Sequence, residues 1–199
     1  MASPSHLFKF HMSEGGLRVP LIISGPGIKK GKNHNFAFVT DIAATLSDIV
    51  FDNVDERIIG KSLQNSLAGT EEKNYLDSDS VGLEVTGNSA LFKGDFKIVK
   101  NRPPNGSNQW ELFNLSEDPG ETINLATSMP NKLQELIKEY EVYAKENGVI
   151  ELPLDYEWAA EMTINTFKRN YLPLIWKAAS FIILALSLVF VLVRRWRNS

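Results

Sequence analysis

A single lysine, Lys9, stands five residues before the bend Glu14-Gly15-Gly16-Leu17-Arg18-Val19-Pro20, and an apolar run ending at Gly25-Pro26-Gly27 follows. Adjacent glycines tolerate positive φ and close backbone approach, so a turn there can carry a preceding side chain back over the end of the next strand. An ammonium held in this way in a cleft suits a tetrahedral oxyanion, the more so in an acidic chain that would otherwise repel one. The same lysine left in solvent is an ordinary surface charge, and spacing alone does not separate the two. Glu14 and Arg18 lie four residues apart across the bend and can pair to hold it, which is scaffolding rather than chemistry.

Other chemistries are closed by composition. The 199 residues contain no cysteine, so there is no disulfide framework, no thiolate nucleophile and no thiolate metal site. The net charge of −3 hides two pieces: residues 1–161 carry 15 Lys/Arg and all 24 Asp/Glu, a net of −9, whereas 162–199 carry six Lys/Arg and no acid. An acidic body without a basic stripe argues against nucleic acid, whose phosphates are bound by clustered Lys and Arg.

Hydrophobic patterning supplies the elements. Residues 17–25 read as a buried strand and 36–39 as a second, shorter one, with Thr40 as N-cap of a helix carrying Ile42, Leu46, Ile49 and Val50 on one stripe. This is the edge of an α/β layer whose remaining strands are missing. After a polar stretch at 69–73, short strands are expected at 81–85, 89–92, 96–100 and 110–114, joined by Gly- and Asn-rich turns into an antiparallel meander. Pro130 opens a helix with Leu133, Leu136, Ile137, Tyr140, Tyr143 and Ala144 on one face, closed by Asn147-Gly148. Residues 149–170 show no period and read as an extended linker, and there is no internal repeat.

Residues 178–193 carry no charge, and extension back to Tyr171 gives an apolar stretch broken only by Lys177. At ~1.5 Å per residue such a helix spans roughly 34 Å, enough for a hydrocarbon core of about 30 Å. Tyr171, Trp176 and Trp196 sit where aromatic rings favour the interface, and Arg194-Arg195-Trp196-Arg197 forms a stop-transfer end. That cluster places the C-terminus in the cytoplasm and the body outside it. The opening residues 1–16 have no signal-peptide pattern, so either the body stays in the cytoplasm behind a tail anchor or an exporting segment belongs to a longer parent.

Lys-x4-Glu-Gly-Gly-x-Arg-x-Pro at Lys9–Glu14–Pro20 resembles the arylsulfatase family, and the resemblance continues in order along residues 7–150. Asp41 with Ala44-Thr45-Leu46 is similar to the family's Asp-x-x-Pro-Thr-Leu helix start, with alanine in place of proline. Gly60-Lys61-Ser62-Leu63 is similar to its Gly-x-Ser-Leu element. Ala90 to Lys97 resembles its Ala-x-Arg-x-Gly-x-Trp-Lys strand pair, with Phe96 for tryptophan, and Trp110 to Ala126 resembles its C-terminal signature. The resemblance implies an α/β alkaline-phosphatase-like sulfatase fold. Only the C-terminal edge of the large domain (1–68) and the small antiparallel sheet-and-helix domain (69–150) are expected here, then a linker (151–170), one transmembrane helix (171–193) contacting lipid, and a basic cytoplasmic tail (194–199).

It also implies hydrolysis of sulfate esters by a formylglycine nucleophile with a calcium ion, and Lys9 is the residue that matches the family's sulfate-contacting lysine. Glu14, Gly15, Gly16 and Arg18 would be structural at that site. Formylglycine requires Cys or Ser followed by x-Pro-x-Arg or x-Ala-x-Arg, and neither occurs. The calcium-binding acids of the family have no match either, so no metal ligand is assigned, and His6, His11 and His34 match no catalytic position. The expectation is therefore the C-terminal portion of a membrane-anchored arylsulfatase that is inactive alone, the body being periplasmic or extracellular. A phosphonate or phosphate ester hydrolase of the same superfamily and a non-catalytic membrane-tethered module are the competing expectations.

Overall fold

The double glycine sets the first turn of the chain. In the computed structural model, which describes residues 5–70, 72–153 and 155–198, an irregular loop at 6–13 runs into a one-turn helix, α1 (Glu14–Leu17). Residues 1–4, Glu71, Leu154 and Ser199, parts of the expected edge, polar stretch, linker and tail, lie outside the described residues. Two units form, Met1–Glu151 and Leu152–Ser199.

The run expected as a buried strand at 17–25 is not one. Leu17 ends α1, and the backbone of 19–24 makes no hydrogen bond to any described residue. Val19, Leu21 and Ile22 are exposed, Ile22 at 89%. A strand exists only through a neighbour that completes its ladder, and none is present among the described residues. Residues 36–39 likewise join no sheet.

Helix α2 (Thr40–Phe51) starts one residue earlier than expected: Thr40 is inside it, and Val39 holds the N-cap place with helical φ/ψ. Its burial is inverted. Asp41, Ala44 and Thr45 are buried, whereas Ile42, Leu46, Ile49, Val50 and Phe51 are exposed. The buried side explains two sequence elements together. The Asp41 carboxylate accepts from the backbone N–H of Phe38 (2.7 Å) and of Lys61 (2.8 Å) and from the Tyr75 hydroxyl (2.6 Å). Thr45 Oγ1 donates to the Asp41 carbonyl and accepts from the N–H of Leu63 (2.9 Å). The segment before the short helix α3 (Gln64–Leu67) is thus fastened to α2 by buried polar groups that would otherwise be costly to desolvate.

The meander forms as expected. Strands β1 (Ser80–Val85), β2 (Asn88–Lys93), β3 (Phe96–Lys100) and β4 (Glu111–Asn114) pair antiparallel in the order β1-β2-β3-β4. Thr86 and Gly87, between Val85 and Asn88, both take positive φ, as a type I′ hairpin turn requires. The registers Leu91↔Ile98 and Ile98↔Leu112 put three apolar side chains in a row on one face. Helix α4 (Pro130–Glu146) covers that face with Leu136 and Tyr140. Each fully buried side chain there contributes about 1.5–3 kcal/mol. Ala90, Val99 and Phe113 lie on the opposite face, covered by Met12 of the N-terminal loop.

Residues 149–170 are only partly extended, because Trp158–Asn170 is a helix, α5. Helix α6 (Leu172–Arg197) carries Pro173 in its first turn, where a missing N–H is tolerated. It is long and apolar enough to cross a membrane, and its apolar side chains are exposed all round.

Candidate anion-binding site

Lys9 lies on a loop bracketed by two non-glycine residues of positive φ, Leu7 at 61° and Phe10 at 77°. Such conformations cost of order 1–3 kcal/mol each and persist only where the surroundings impose them. Here the glycine bend does so. The Gly15 N–H donates to the His6 carbonyl (3.0 Å), and a Cβ on Gly15 would lie 2.3 Å from the Leu7 carbonyl oxygen. A Cβ on Gly16 would lie 2.2 Å from that of His11. The loop wraps directly over bare backbone, so no larger residue fits beneath it. The loop that bears Lys9 is seated against Asn88 of β2 and Asn101 after β3, rather than over the end of a strand at 17–25.

Three asparagines fasten the loop to the sheet. Asn88 Nδ2 donates to the Phe10 carbonyl (2.7 Å), while its Oδ1 accepts from the Arg102 N–H. Asn101 Oδ1 accepts from the Met12 N–H (2.9 Å), and its Nδ2 donates to Ser13 Oγ. Asn105 Nδ2 donates to His11 Nε2 (3.0 Å), so His11 Nδ1–H is the donor to the Phe8 carbonyl (3.1 Å). His11 is buried and hydrogen-bonded through both ring nitrogens, a structural residue. His34 is exposed, and His6 is exposed near Glu111, whose carboxyl is pushed up by burial, with the neighbouring Glu121 raising it further against His6.

Beneath the bend is a buried ion cluster. Lys97, 0% exposed, donates to Glu14 Oε1 (2.8 Å) and Glu121 Oε1 (2.7 Å), and its ammonium lies 4.8 Å from the Phe92 ring centroid. Glu121 Oε2 accepts from the Glu14 backbone N–H (2.7 Å). Three sequence elements read separately therefore meet at one ammonium: the Glu-Gly-Gly bend, the strand-pair lysine and the Asp-Pro-Gly-Glu turn. Glu121, itself at positive φ of 57°, follows a turn held by Asp118, whose carboxylate accepts from the N–H groups of Thr122 and Ile123 and is thereby held below its ordinary range. Arg18 reaches Glu14 at only 3.9 Å with its side chain 58% exposed, so it is a minor partner and Lys97 is the principal one.

Lys9 differs from Lys97 in every respect that matters for binding. It is exposed, its ammonium is 5.4 Å from the Phe10 ring centroid, and among the described residues no carboxylate lies within ion-pair distance. The arrangement presents a free cation on a backbone that is held from below by Gly15, Gly16 and the Lys97 cluster. Such a cation can take up an oxyanion without first breaking an ion pair. Among the described residues no three His, Asp or Glu side chains converge as a metal site would require, and the buried pair Glu14 and Glu121 is already neutralised by Lys97. These residues do not fit a calcium ion.

Residues 5–146 match the family model described as N-sulphoglucosamine sulphohydrolase, C-terminal. An uncharacterized sulfatase of Schizosaccharomyces pombe is 31% identical over 175 residues, covering 77% of this chain and 30% of that protein. Arylsulfatase K of Xenopus laevis is 28% identical over 143 residues, covering 66% of this chain and 27% of that one. An N-acetylgalactosamine-6-O-sulfatase of Bacteroides thetaiotaomicron is 26% identical over 143 residues, covering 64% and 27%. Among solved structures, a protein reported with the metabolism of multiple glycosaminoglycans by Bacteroides thetaiotaomicron aligns with a TM-score of 0.57 at 22% identity, over 69% of this chain and 31% of that one. The chain spans less than a third of the length of each of these relatives. With the family model covering most of the chain and the motifs gathered on one bend and one sheet, the chain belongs to the sulfatase family and represents its C-terminal portion.

Proposed function

We propose that this chain is the C-terminal part of a membrane-anchored arylsulfatase and that Lys9 binds the sulfate group of the substrate. The reading rests on one observation above the others: Lys9 is an unneutralised ammonium on a loop whose backbone is fixed from three sides. Its role is to donate hydrogen bonds to sulfate oxygens and to favour the charge that accumulates on them as the ester bond breaks, so it acts more strongly in the transition state than on the bound ester. Glu14, Gly15 and Gly16 hold the loop, with Arg18 as a minor partner. The formylglycine nucleophile and the calcium ion implied by the family would both be held upstream of this chain, because its own residues supply neither, and 1–199 alone would not turn over. The relatives named for hexosamine sulfate hydrolysis support a sulfated sugar as the ester.

In this reading residues 1–68 complete the large domain, 69–150 form the small one, 151–170 link it to the membrane and 171–193 cross it. The six cationic residues after 161 with no acid among them, three of them in the last turn of α6, support a cytoplasmic C-terminus and a periplasmic or extracellular body. The test is Lys9→Ala in the full-length sulfatase carrying this chain, assayed on paired aryl sulfate and aryl phosphonate esters. Loss of one such donor lowers kcat by about 100-fold or more, with an unchanged melting temperature because Lys9 is exposed. Unchanged kcat in a normally folded variant removes Lys9 from the site, and a preference for the phosphonate overturns the substrate class.

A further inference from the structure

The charge of the body is unevenly distributed in a way its total conceals. Residues 15–40 contain no Asp or Glu, yet they hold Arg18, Lys29, Lys30 and Lys32, in a body whose net charge is −9. Three of these lysines fall within four positions, with His34 two residues further on.

The loop at 27–35 that bears them is tied down by its backbone and stem, leaving the charged ends free. The Lys29 N–H donates to the Leu67 carbonyl (2.9 Å), and Asn35 Nδ2 donates to the Glu72 carbonyl (2.9 Å). The aliphatic stem of Lys29 lies over Gly69, where a Cβ would approach its Cδ to 2.2 Å. Lys29, Lys30, Lys32 and His34 are exposed, and none is within ion-pair distance of a carboxylate among the described residues. Elsewhere in this acidic body five of the nine lysines are paired, Lys61 with Asp79, Lys73 with Asp77, Lys93 with Glu139, Lys97 with Glu14 and Glu121, and Lys132 with Glu135, and the other four, Lys9, Lys100, Lys138 and Lys145, are scattered along the chain rather than clustered.

We propose that the loop at 27–35 is a docking surface for a sulfated polysaccharide, holding anionic groups of a polymer while Lys9 engages one of its esters. Closely spaced, unpaired ammoniums bind linear polyanions by displacing their condensed counterions. The loop contains no Phe, Tyr or Trp on which a base could stack, and stacking is what single-stranded nucleic acid requires. The inference rests on the sulfatase reading above and extends it from a sulfated sugar to a polymer.

The test uses the 199-residue chain in an uncharged detergent, titrated with a fluorescent heparin oligosaccharide, its desulfated counterpart and single-stranded DNA of matched charge, at several salt concentrations. Binding to the sulfated chain is expected. The variant Lys29→Gln/Lys30→Gln/Lys32→Gln should weaken it at least tenfold and flatten the log–log salt slope by about 2–3, with no change in melting temperature. The variant Arg194→Gln/Arg195→Gln/Arg197→Gln reports on the basic tail. The proposal is overturned by absence of heparin binding, by a loop variant within twofold of the parent, by loss only in the tail variant, or by equal affinity for DNA. These outcomes are independent of turnover. Lost heparin binding with Lys9-dependent hydrolysis intact sinks the docking surface alone, and the converse sinks the sulfatase role alone.

Discussion

Replacing Lys97 by methionine, of similar length and apolar, removes one ammonium and leaves Glu14 and Glu121 facing each other. Both carboxylates are almost wholly buried, with side chains 7% and 1% exposed, and the lysine they share is fully enclosed. Removing one partner of a buried ion pair destabilises by about 3–5 kcal/mol, because the remaining charge is desolvated without compensation. Here two negative charges are stranded, with Arg18 too distant and too exposed to replace the lost cation. The loss is therefore expected at the upper end, about 4–5 kcal/mol. For a unit of about 150 residues each kcal/mol moves Tm by roughly 2–4 °C, which predicts a fall of roughly 8–20 °C. Near-UV circular dichroism of the chain in detergent reads this directly, because Phe92 and Phe113 lie on the same sheet face. The companion variant Glu121→Gln keeps an acceptor for only one of Lys97 and the Glu14 N–H, but leaves Lys97 paired with Glu14 and strands no second carboxylate, so it should lose less than Lys97→Met. A Lys97→Met protein melting within 3 °C of the parent would refute the assignment of this cluster as the clamp beneath the bend.

Gly15→Ala forces a methyl group to 2.3 Å from the Leu7 carbonyl, so the loop must lift; hydrogen exchange should accelerate at residues 6–11 while the β2–β3 amides keep their protection, and unchanged exchange would show that the loop is not seated on the glycine. Glu111 has a carboxyl raised mainly by burial, so the folded state binds its proton more tightly than the unfolded chain. Its contribution is fully present below the ordinary carboxylate pKa and is lost as pH rises through the raised value. Glu111→Gln should therefore raise Tm at pH 7 and lose that advantage near pH 4, and an advantage that is constant across this range contradicts the sign.

The parts of the molecule legible in sequence are those whose signal is local. The hairpin at Thr86-Gly87 and the stripe Leu133, Leu136, Ile137 and Tyr140 need only their own neighbours to declare themselves, and both are found where expected. Residues 17–25 carry an equally strong apolar signal, but a strand is a relation between segments, and among the described residues no ladder completes it. Helix α2 shows the same limit: its stripe was legible, but not that the opposite side, with Asp41 and Thr45, would be the buried one. Helix α5 lies inside the stretch read as an extended linker. At the site, the glycine bend was legible from its adjacent glycines, the part given to Lys9 came from the family resemblance, and the clamp beneath the bend was not legible. Lys97 was read only as part of a strand pair, although it alternates in phase with Val99 on one face of β3, and an inward lysine demands an acid partner. Asn88 and Asn101 gave weaker signals, as polar residues at strand ends. Averaging charge over 161 residues concealed the acid-free stretch at 15–40.

The segment at 19–24 has a consequence for handling the protein. Its amide and carbonyl groups make no hydrogen bond among the described residues, and Val19, Leu21 and Ile22 are exposed. Two copies can satisfy these groups at once by adding to each other, with Pro20 as the sole residue in the run that interrupts such growth. Self-association of purified material should thus rise with concentration and begin here, and a Leu21→Lys exchange should delay it without touching the bend that carries Lys9.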